Sequence, residues 1–333
     1  MDVRRTARFY RIDILAGFNA VSQSQEIIVV LKIVDINDKL DNPSHWNYCR
    51  REAQLYAQGT VRSEMGGVSA PHCYGVFDEP SRLLIWLEYI AGQQDHQWSD
   101  TQVREVAFAL GRFNGYGCNN PLIHEAKTAS QQWLRSYVQS NSSFIAQIPQ
   151  LKAHPLVGKA LETDLLPEYL NFCAERMLWL ARLESLPQTF CHLDIHRGNV
   201  AIQTAPDNQH RIVAIDWSFS GIASIGQELG PLIHSNRRMP DIHEMAVDAY
   251  IRGLQAAGYR DNADCVWWSA AISAALTYCV AQVGLLINSL LDEREHPALV
   301  EGFGVPIEKI PRRAIGWMQA GLAYRAIAQR YFR

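Results

Sequence analysis

The chain lacks a dominant charge of either sign, and this absence excludes several classes of partner. It has 31 Lys and Arg against 34 Asp and Glu, a net charge of -3 over 333 residues. A protein that binds nucleic acid or an anionic membrane through its overall field needs a clear positive excess. We therefore expect neither partner, and the function must be inferred from local motifs.

The seven cysteines lack the spacing of a metal site or a redox pair. No two of them form a C-x-x-C pair, and structural zinc sites and disulfide frameworks need regular spacing or even pairing. The scattered set consists of Cys49, Cys73, Cys118, Cys173, Cys191, Cys265 and Cys279. This pattern predicts reduced thiols in a cytoplasmic protein.

The chain also lacks an apolar run after its basic first residues, MDVRRTARFY, so no secretory signal is expected. One later stretch, 267–291, has no charged residue and is long enough to cross a bilayer. However, Ser, Thr, Gln and Asn recur through it, and acids flank both ends instead of a basic cytoplasmic end. We expect a buried core helix here and no membrane span.

The sequence patterns of the first hundred residues predict a small sheet with one helix. Residues 8–34 predict two strands, and 72–90 predict an antiparallel hairpin. Between them, 45–58 predict a helix that stops at Gly59, with Asn42 or Ser44 as its cap.

From residue 100 onward the periodicity is nearly all helical, except for two short apolar runs within 190–217 that predict paired strands. A chain of this length exceeds what one core usually holds, so two lobes are expected. The predicted fold is α+β and bilobal. Residues 1–90 form a small antiparallel-sheet lobe, 91–99 a linker, and 100–333 a mainly helical lobe that contains a hairpin.

The stretch 190–217 places acids and an amide where burial is expected. It begins FCHLDIHRGNVAI and ends RIVAIDW, so that Asp194, Asn199 and Asp216 adjoin short runs of Val, Ile and Ala. Burying such groups is unfavourable unless they are paired. Mg²⁺ takes oxygen ligands, commonly one or two carboxylates together with substrate phosphates. The pattern predicts a site for a divalent cation and phosphate.

A lysine and a glutamate near the N-terminus suit the same site. Lys32 lies inside the apolar run EIIVVLKIV, and Glu52 lies on the apolar face of the next predicted helix. A strand lysine paired with a helix glutamate holds the lysine against nucleotide phosphates in kinases. Two alternatives stay open: Lys32 is an edge-strand lysine that limits aggregation, or Glu52 pairs locally with Arg51 or Arg62.

With these residues the chain resembles the aminoglycoside phosphotransferase family, small-molecule kinases with a protein-kinase-like fold. The resemblance rests on H-x-D-x-H-x-G-N, from His192 to Asn199, followed by I-D-W at 215–217. Shorter matches follow in family order along nearly the full chain: VLKI around Lys32, RREAQLY around Glu52, LEYIAG and LGRFNG. The H-x-D-x-x-x-x-N string alone is moderately specific, and the added Lys, Glu and I-D-W matches make the resemblance strong.

The resemblance implies a role for each acid and for the lysine. Asp194 would accept or orient the proton of the attacking hydroxyl. Asn199 and Asp216 would hold Mg²⁺ between the nucleotide phosphates. Lys32 would contact the α- and β-phosphates and would be positioned by Glu52.

The resemblance also implies roles for groups around these residues. The main chain of Glu88, Tyr89 and Ile90 would hydrogen-bond the adenine edge. His192 and His196 would orient the catalytic loop instead of taking part in the chemistry. For Arg197, a solvated loop position and a phosphate contact both stay open.

Two features depart from the family pattern. The turn AGFNAVSQSQ has one glycine and is no G-x-G-x-x-G phosphate loop, so phosphate contact by Asn19 or Ser22 stays open. The C-terminal stretch is basic, with no acid after Glu308, which is typical of a solvated helix face. Nothing in it favours a polycationic drug over a neutral or anionic hydroxylated metabolite.

The expected function is a kinase that uses ATP, or GTP, and Mg²⁺ to phosphorylate a hydroxyl group of a small molecule. The alternative is a nucleotide-binding pseudokinase or regulatory module, supported only by the glycine-poor turn. A purely structural protein would leave the acids of 190–217 unexplained. The acceptor is expected near Trp133, residues 235–239 and the 267–291 helix, while its identity and the oligomeric state are not specified.

Overall fold

The computed structural model describes residues 7–16, 25–91, 98–118, 129–204, 210–236, 241–260 and 264–331. They form an antiparallel-sheet N-terminal region followed by a mainly helical part, which confirms the predicted α+β class. The lobe boundaries at 1–90, 91–99 and 100–333 stay a prediction, and residues 92–97 of the linker lie outside the described ranges.

The N-terminal region is a four-stranded antiparallel sheet with the strand order β1-β2-β5-β4. Its strands are β1 Ala7–Ala16, β2 Gln25–Asp35, β4 Cys73–Glu79 and β5 Arg82–Glu88. In β5 every second residue is buried, so one face of the sheet packs on the core. Because β2 pairs with strands on both sides, the edge-strand interpretation of Lys32 is wrong.

The helix after β2 is shorter than its sequence pattern predicts. It is α1, Arg51–Ala57, and its N-cap Arg50 makes no side-chain capping bond. The predicted cap is therefore wrong: the Asn42 side chain instead accepts the Ser44 N–H at 3.0 Å. The His45 ring likewise accepts the N–H of residue 47, and such local side-chain bonds compete with helix formation.

The C-terminal part is built from helices of very different length. They are α2 Asp100–Cys118, α3 Trp133–Asn141, α4 Ile148–Leu151, α5 Val157–Leu161, α6 Leu166–Ser185, α7 Leu229–Asn236, α8 Asp241–Ala256, α9 Asp264–Ala274, α10 Val283–Leu291, α11 His296–Phe303 and α12 Arg312–Arg330. Helices α2 and α8 cross closely, since a Cβ on Gly111 would come within 2.0 Å of the Tyr250 carbonyl oxygen. Glycine is required at this crossing.

Helices α9 and α10 are joined by a π-helical segment, Ala275–Gln282, into one helix, Asp264–Leu291. Within the described residues it alone is long and apolar enough to cross a membrane. However, 89% of its most apolar 18-residue stretch is buried inside the protein. This burial confirms the predicted core helix, because a helix that is apolar all round needs protein contacts on every side.

Two small sheets involve strands of the helical part, and the first also includes a short strand, 68–69, of the N-terminal region. One has the order β3-β8-β7, with β3 Val68–Ser69, β7 Val200–Thr204 and β8 His210–Ala214, and the other pairs β6 Gln188–Cys191 with β9 Gly221–Ser224. The β7–β8 pair is the hairpin predicted within 190–217. Because it is antiparallel, the residue before β7 and the residues after β8 meet at one end, where the Ile215 N–H donates to the Asn199 carbonyl at 2.9 Å.

Candidate active site

Lys32 on β2 connects the following helix, α1, with the distant segment after β8. Its side chain is only 4% exposed, and Nζ donates to Glu52 Oε2 and, at 2.8 Å, to Asp216 Oδ1. Nζ also lies 5.2 Å from the ring centroid of Phe9, its register partner on β1. The structure thus brings the expected Lys32–Glu52 pair together and adds Asp216 as a second partner.

The alternative in which Glu52 pairs with a nearby arginine is wrong. Arg51 donates to backbone carbonyls, and Arg62 donates to the Tyr116 hydroxyl at 3.0 Å. The second carboxylate oxygen of Glu52 instead accepts the N–H of Trp217 at 3.1 Å. Glu52 therefore binds both the lysine and the backbone next to Asp216.

The charges of this network are unbalanced. Burial alone would lower the pKa of Lys32, but Asp216 and Glu52 outweigh it and hold that pKa above its usual value. Burial would raise the pKa of Asp216, but Lys32 lowers it to about 2. Burial raises the pKa of Glu52 against the opposing effect of Lys32. With both acids ionised, the three groups carry one excess negative charge, which favours a cation beside Asp216.

The loop before β7 holds Asp194 through its neighbours. Asn199 Nδ2 donates to the Asp194 carboxylate at 2.9 Å and to its main-chain oxygen at 3.1 Å. The His196 ring lies 3.6 Å from the same carboxylate, whose side chain is 29% exposed. Burial would lower the pKa of His196, but Asp194 outweighs it and raises that pKa. Asp194 is thus fixed in position and still open to solvent.

His192 connects this loop to the end of β8. Its buried ring donates from Nε2 to the Ile215 carbonyl at 2.9 Å and accepts the Asp194 N–H on Nδ1 at 3.3 Å. Burial lowers the pKa of His192, and these two contacts require the neutral ring with its proton on Nε2. This geometry agrees with the loop-orienting role implied by the resemblance.

Glu228 is a site residue that the sequence analysis missed. It is fully buried below the loop, where Oε2 accepts the His192 N–H at 2.8 Å. Burial raises its pKa to about 7 against the opposing His192 hydrogen bond. One signal was available, because Glu228 is the sole charged residue in the stretch SFSGIASIGQELGPLI.

Two residues of the site have strained backbones. Leu193 and Asp216, with φ of 68° and 61°, are the non-glycine residues with positive φ in the described ranges. Such conformations cost about 1–3 kcal/mol each and persist where the surroundings determine them, often at functional sites. The strain lies beside Asp194 and at Asp216 itself.

Comparison with known proteins agrees with these features. The model of the phosphotransferase enzyme family, APH, matches residues 48–263, more than half of the chain. The chain belongs to this family. No curated protein sequence matches it.

Solved structures share the fold of this phosphotransferase at low sequence identity. A microcompartment-associated aminopropanol kinase is 11% identical with a TM-score of 0.56, covering 96% of this chain and 95% of its own. A choline/ethanolamine kinase family protein from Mesorhizobium loti is 15% identical with a TM-score of 0.52, covering 92% and 87%. At such identities the likeness shows the kinase-like fold alone.

The oxygen donors of this phosphotransferase suit Mg²⁺. Because Asn199 Nδ2 faces the Asp194 carboxylate, its amide oxygen points away from that acid, and Asp216 adds a carboxylate at the same hairpin end. The described residues contain no cluster of three His, Cys, Asp or Glu side chains that could hold a metal by themselves. Mg²⁺ is commonly coordinated by one or two protein oxygens together with the oxygens of substrate phosphates.

The predicted adenine-binding segment is partly occupied by the protein itself. The Glu88 N–H donates to the His72 carbonyl at 2.8 Å, and Ile90 is buried against Ala201 and Val213. Tyr89 and Ile90 make no backbone hydrogen bond to other described residues. Among the described residues, none occupies their main-chain N–H and C=O groups, whereas the N–H of Glu88 is already bound.

The glycine-poor turn, with Asn19 and Ser22, lies outside the described residues. The strand register pairs Lys32 with Phe9 and Gln25 with Ala16, seven residues further along β1. At roughly 3.3 Å per residue, the strand ends beside the turn lie about 23 Å from the Lys32–Phe9 pair. Phosphate held near Lys32 therefore needs donors other than these strand ends.

A cavity of about 670 Å³ opens beside Lys32 and Asp216. The 267–291 helix contributes Asn288 and Ser289 to its lining, and α3 contributes Tyr137, whose ring lies 5.1 Å from that of Trp133. That the acceptor binds near Trp133 and the 267–291 helix stays a prediction. Trp133 packs against the Phe219 ring at 5.3 Å. Ser235 does not line the cavity, and residues 237–240 lie outside the described ranges. Asp194 does not line it either, so the cavity meets the site at Asp216.

Proposed function

We propose that this phosphotransferase is a kinase that transfers the γ-phosphate of ATP, or GTP, to a hydroxyl group of a small molecule with the help of Mg²⁺. The observation that carries the proposal is the buried contact of Lys32 with Glu52 and Asp216 at the edge of a cavity. Held by two acids, the Lys32 ammonium is a fixed positive charge that can face a phosphate. The Asp216 carboxylate beside it can also bind a metal.

The residues divide the work of binding and positioning. Lys32 would bind phosphate oxygens, and Asn199 and Asp216 would hold Mg²⁺, which when bound would supply charge neutralisation for the transferring phosphoryl group. Asp194 receives or orients the hydroxyl proton, since its carboxylate is partly exposed and is fixed by Asn199 and His196. Phosphoryl transfer depends mostly on such positioning and charge neutralisation.

The names of two structural neighbours suggest which acceptors to test first. The structurally similar aminopropanol kinase and choline/ethanolamine kinase family protein are named for amino alcohols. Amino alcohols are therefore the first acceptors to test, with aminoglycosides, sugars and nucleosides after them. We place the enzyme in the cytoplasm, in keeping with its seven free cysteines.

The proposal is tested by mass spectrometry of acceptor libraries incubated with the protein, Mg²⁺ and ATP or GTP. We expect one acceptor class to gain a phosphoryl group with the wild-type protein and not with Asp194→Asn. Stabilisation of the protein by Mg·ATP without transfer to any hydroxyl compound would favour the pseudokinase alternative.

A further inference from the structure

Arg51 is a buried cation without a carboxylate partner. Arg51 is fully buried and forms no ion pair with any described residue. Its guanidinium donates to four backbone carbonyl oxygens instead: Trp46 at 2.9 Å, His45 at 2.7 Å, Pro43 at 3.3 Å and Ser218 at 2.8 Å. Burial lowers the pKa of Arg51 to about 10, so it is still charged at neutral pH.

A buried unpaired charge is unfavourable, and an apolar side chain of similar volume would usually serve stability better. What arginine adds is a rigid planar fork of donors that can bind several acceptors at fixed angles. Three of its four acceptors lie in the turns before α1. The fourth, Ser218, follows Asp216 by two residues and is 167 residues away in the chain.

Arg51 and Glu52 bind consecutive residues of the same segment. Glu52 accepts the Trp217 N–H at 3.1 Å, and Arg51 donates to the Ser218 carbonyl at 2.8 Å. Between these contacts and β8 lies Asp216, whose backbone has φ of 61°. A left-handed conformation is unfavourable for a non-glycine residue and persists where its surroundings determine it. The two contacts from α1 supply that constraint on its C-terminal side.

We propose that Arg51 is a positioning residue for the metal site: it fixes the segment after Asp216 so that this carboxylate points at Mg²⁺. The inference rests on the proposed function, because it assigns the metal to Asp216. It predicts that loss of Arg51 weakens metal-dependent nucleotide binding more than binding of the nucleotide alone.

The test compares the affinity for ADP with and without Mg²⁺, by calorimetry, in the wild-type protein and in Arg51→Lys and Arg51→Gln. Lysine keeps the charge but cannot bind both groups of carbonyls, and glutamine removes the charge. We expect the affinity gain from Mg²⁺ to fall about 10-fold in both variants, a typical effect of residues that orient metal ligands, while Mg²⁺-free affinity changes less than about 2-fold. Asp216→Asn serves as the reference variant, in which the gain in ADP affinity from Mg²⁺ should be lost completely.

Arg50→Lys is the matched control, since Arg50 precedes Arg51 and binds Asp41 and Asp78. In the part of the chain that the structure describes, Arg50 binds no residue after Asp216. This variant should keep the full gain from Mg²⁺. An unchanged gain in the folded Arg51 variants, or failure of both to fold, would overturn the positioning role and leave a purely structural one. A wild-type protein that binds neither ADP nor Mg·ADP would instead overturn the proposed function, and the inference with it.

Discussion

The two halves of the candidate site are built in different ways. The loop from His192 to Asn199 is local: Asp194 is held by Asn199 and His196, five and two residues away in the chain. The network around Lys32 is not local, because β2, α1 and the segment after β8 each contribute one charged group. The loop is therefore expected to affect turnover with little effect on stability, whereas the Lys32 network is expected to affect both.

The largest expected effect comes from the local half. Asp194→Asn should lower turnover by roughly 10²–10⁴, the usual contribution of a positioned base, because the amide cannot accept the hydroxyl proton. Nucleotide affinity should stay near the wild-type value, since Asp194 is not in the Lys32 network. Steady-state kinetics with the identified acceptor, together with ADP calorimetry, measure both. Phosphoryl transfer by Asp194→Asn at the wild-type rate would show that Asp194 is not the base.

The next largest effect should be a loss of stability when the Lys32 network is broken. Lys32→Met leaves Glu52 and Asp216 together without their cation, and breaking a buried ion pair this way costs about 3–5 kcal/mol in the free energy of unfolding. Urea denaturation measures it. Arg8→Met, which removes an exposed partner of Asp35, is the control and should change stability by less than about 1 kcal/mol. Equal losses in the free energy of unfolding for Lys32→Met and Arg8→Met would contradict the larger contribution to stability expected of the Lys32 network.

A pH effect is expected below the loop, at Glu228. Its pKa of about 7 in the folded protein lies above the usual value of 4.5, so the folded state binds this proton more tightly than the unfolded state. The resulting stabilisation is complete below pH 4.5 and is lost as the pH rises through 7. It amounts to about 3 kcal/mol, at 1.36 kcal/mol per pKa unit.

Glu228→Gln should remove this dependence while keeping an acceptor for the His192 N–H. Between pH 5 and pH 8, wild-type stability should therefore fall further than that of the variant, measured by urea denaturation at each pH. Parallel stability curves for the two proteins would show that Glu228 does not titrate in this range.

The smallest effect is expected at the predicted adenine-binding segment. Tyr89→Ala should change nucleotide affinity by less than about 2-fold, because the main chain makes the proposed contact and its N–H is kept at any non-proline residue. Calorimetric titration with ADP measures it, with Lys32→Met as the positive control. A 10-fold loss would assign the contact to the tyrosine side chain.

The local half could be predicted almost completely from the sequence. Asp194 and Asn199 stood out because an acid and an amide adjoin apolar runs, and the β7–β8 pairing followed from those runs. Asp216 of the other half stood out for the same reason, but its contact with Lys32 did not. The helix predicted after β2 is seven residues too long, six at its start and one at its end. Its apolar spacing is helical, but side-chain acceptors at Asn42 and His45 bind the backbone that a helix would need.

The rest could not be predicted because the partners lie far apart in the chain. Asp216 meets Lys32 across 184 residues, and His192 meets Glu228 across 36. Likewise, the structure shows Tyr137 and not Trp133 facing the cavity, although both belong to α3. Which face of a helix lines a cavity depends on packing against other elements, which periodicity alone does not specify.

The sequence by itself determined the family, the α+β class and the chemical groups available for phosphoryl transfer, since these follow from residue type and local spacing. Only the tertiary structure decided that Lys32 has two acidic partners, that Arg51 binds the segment after Asp216, and that Glu228 is buried below His192. The physical reason is that burial and charge pairing depend on three-dimensional neighbours, and those neighbours come from elements that fold together across most of the chain.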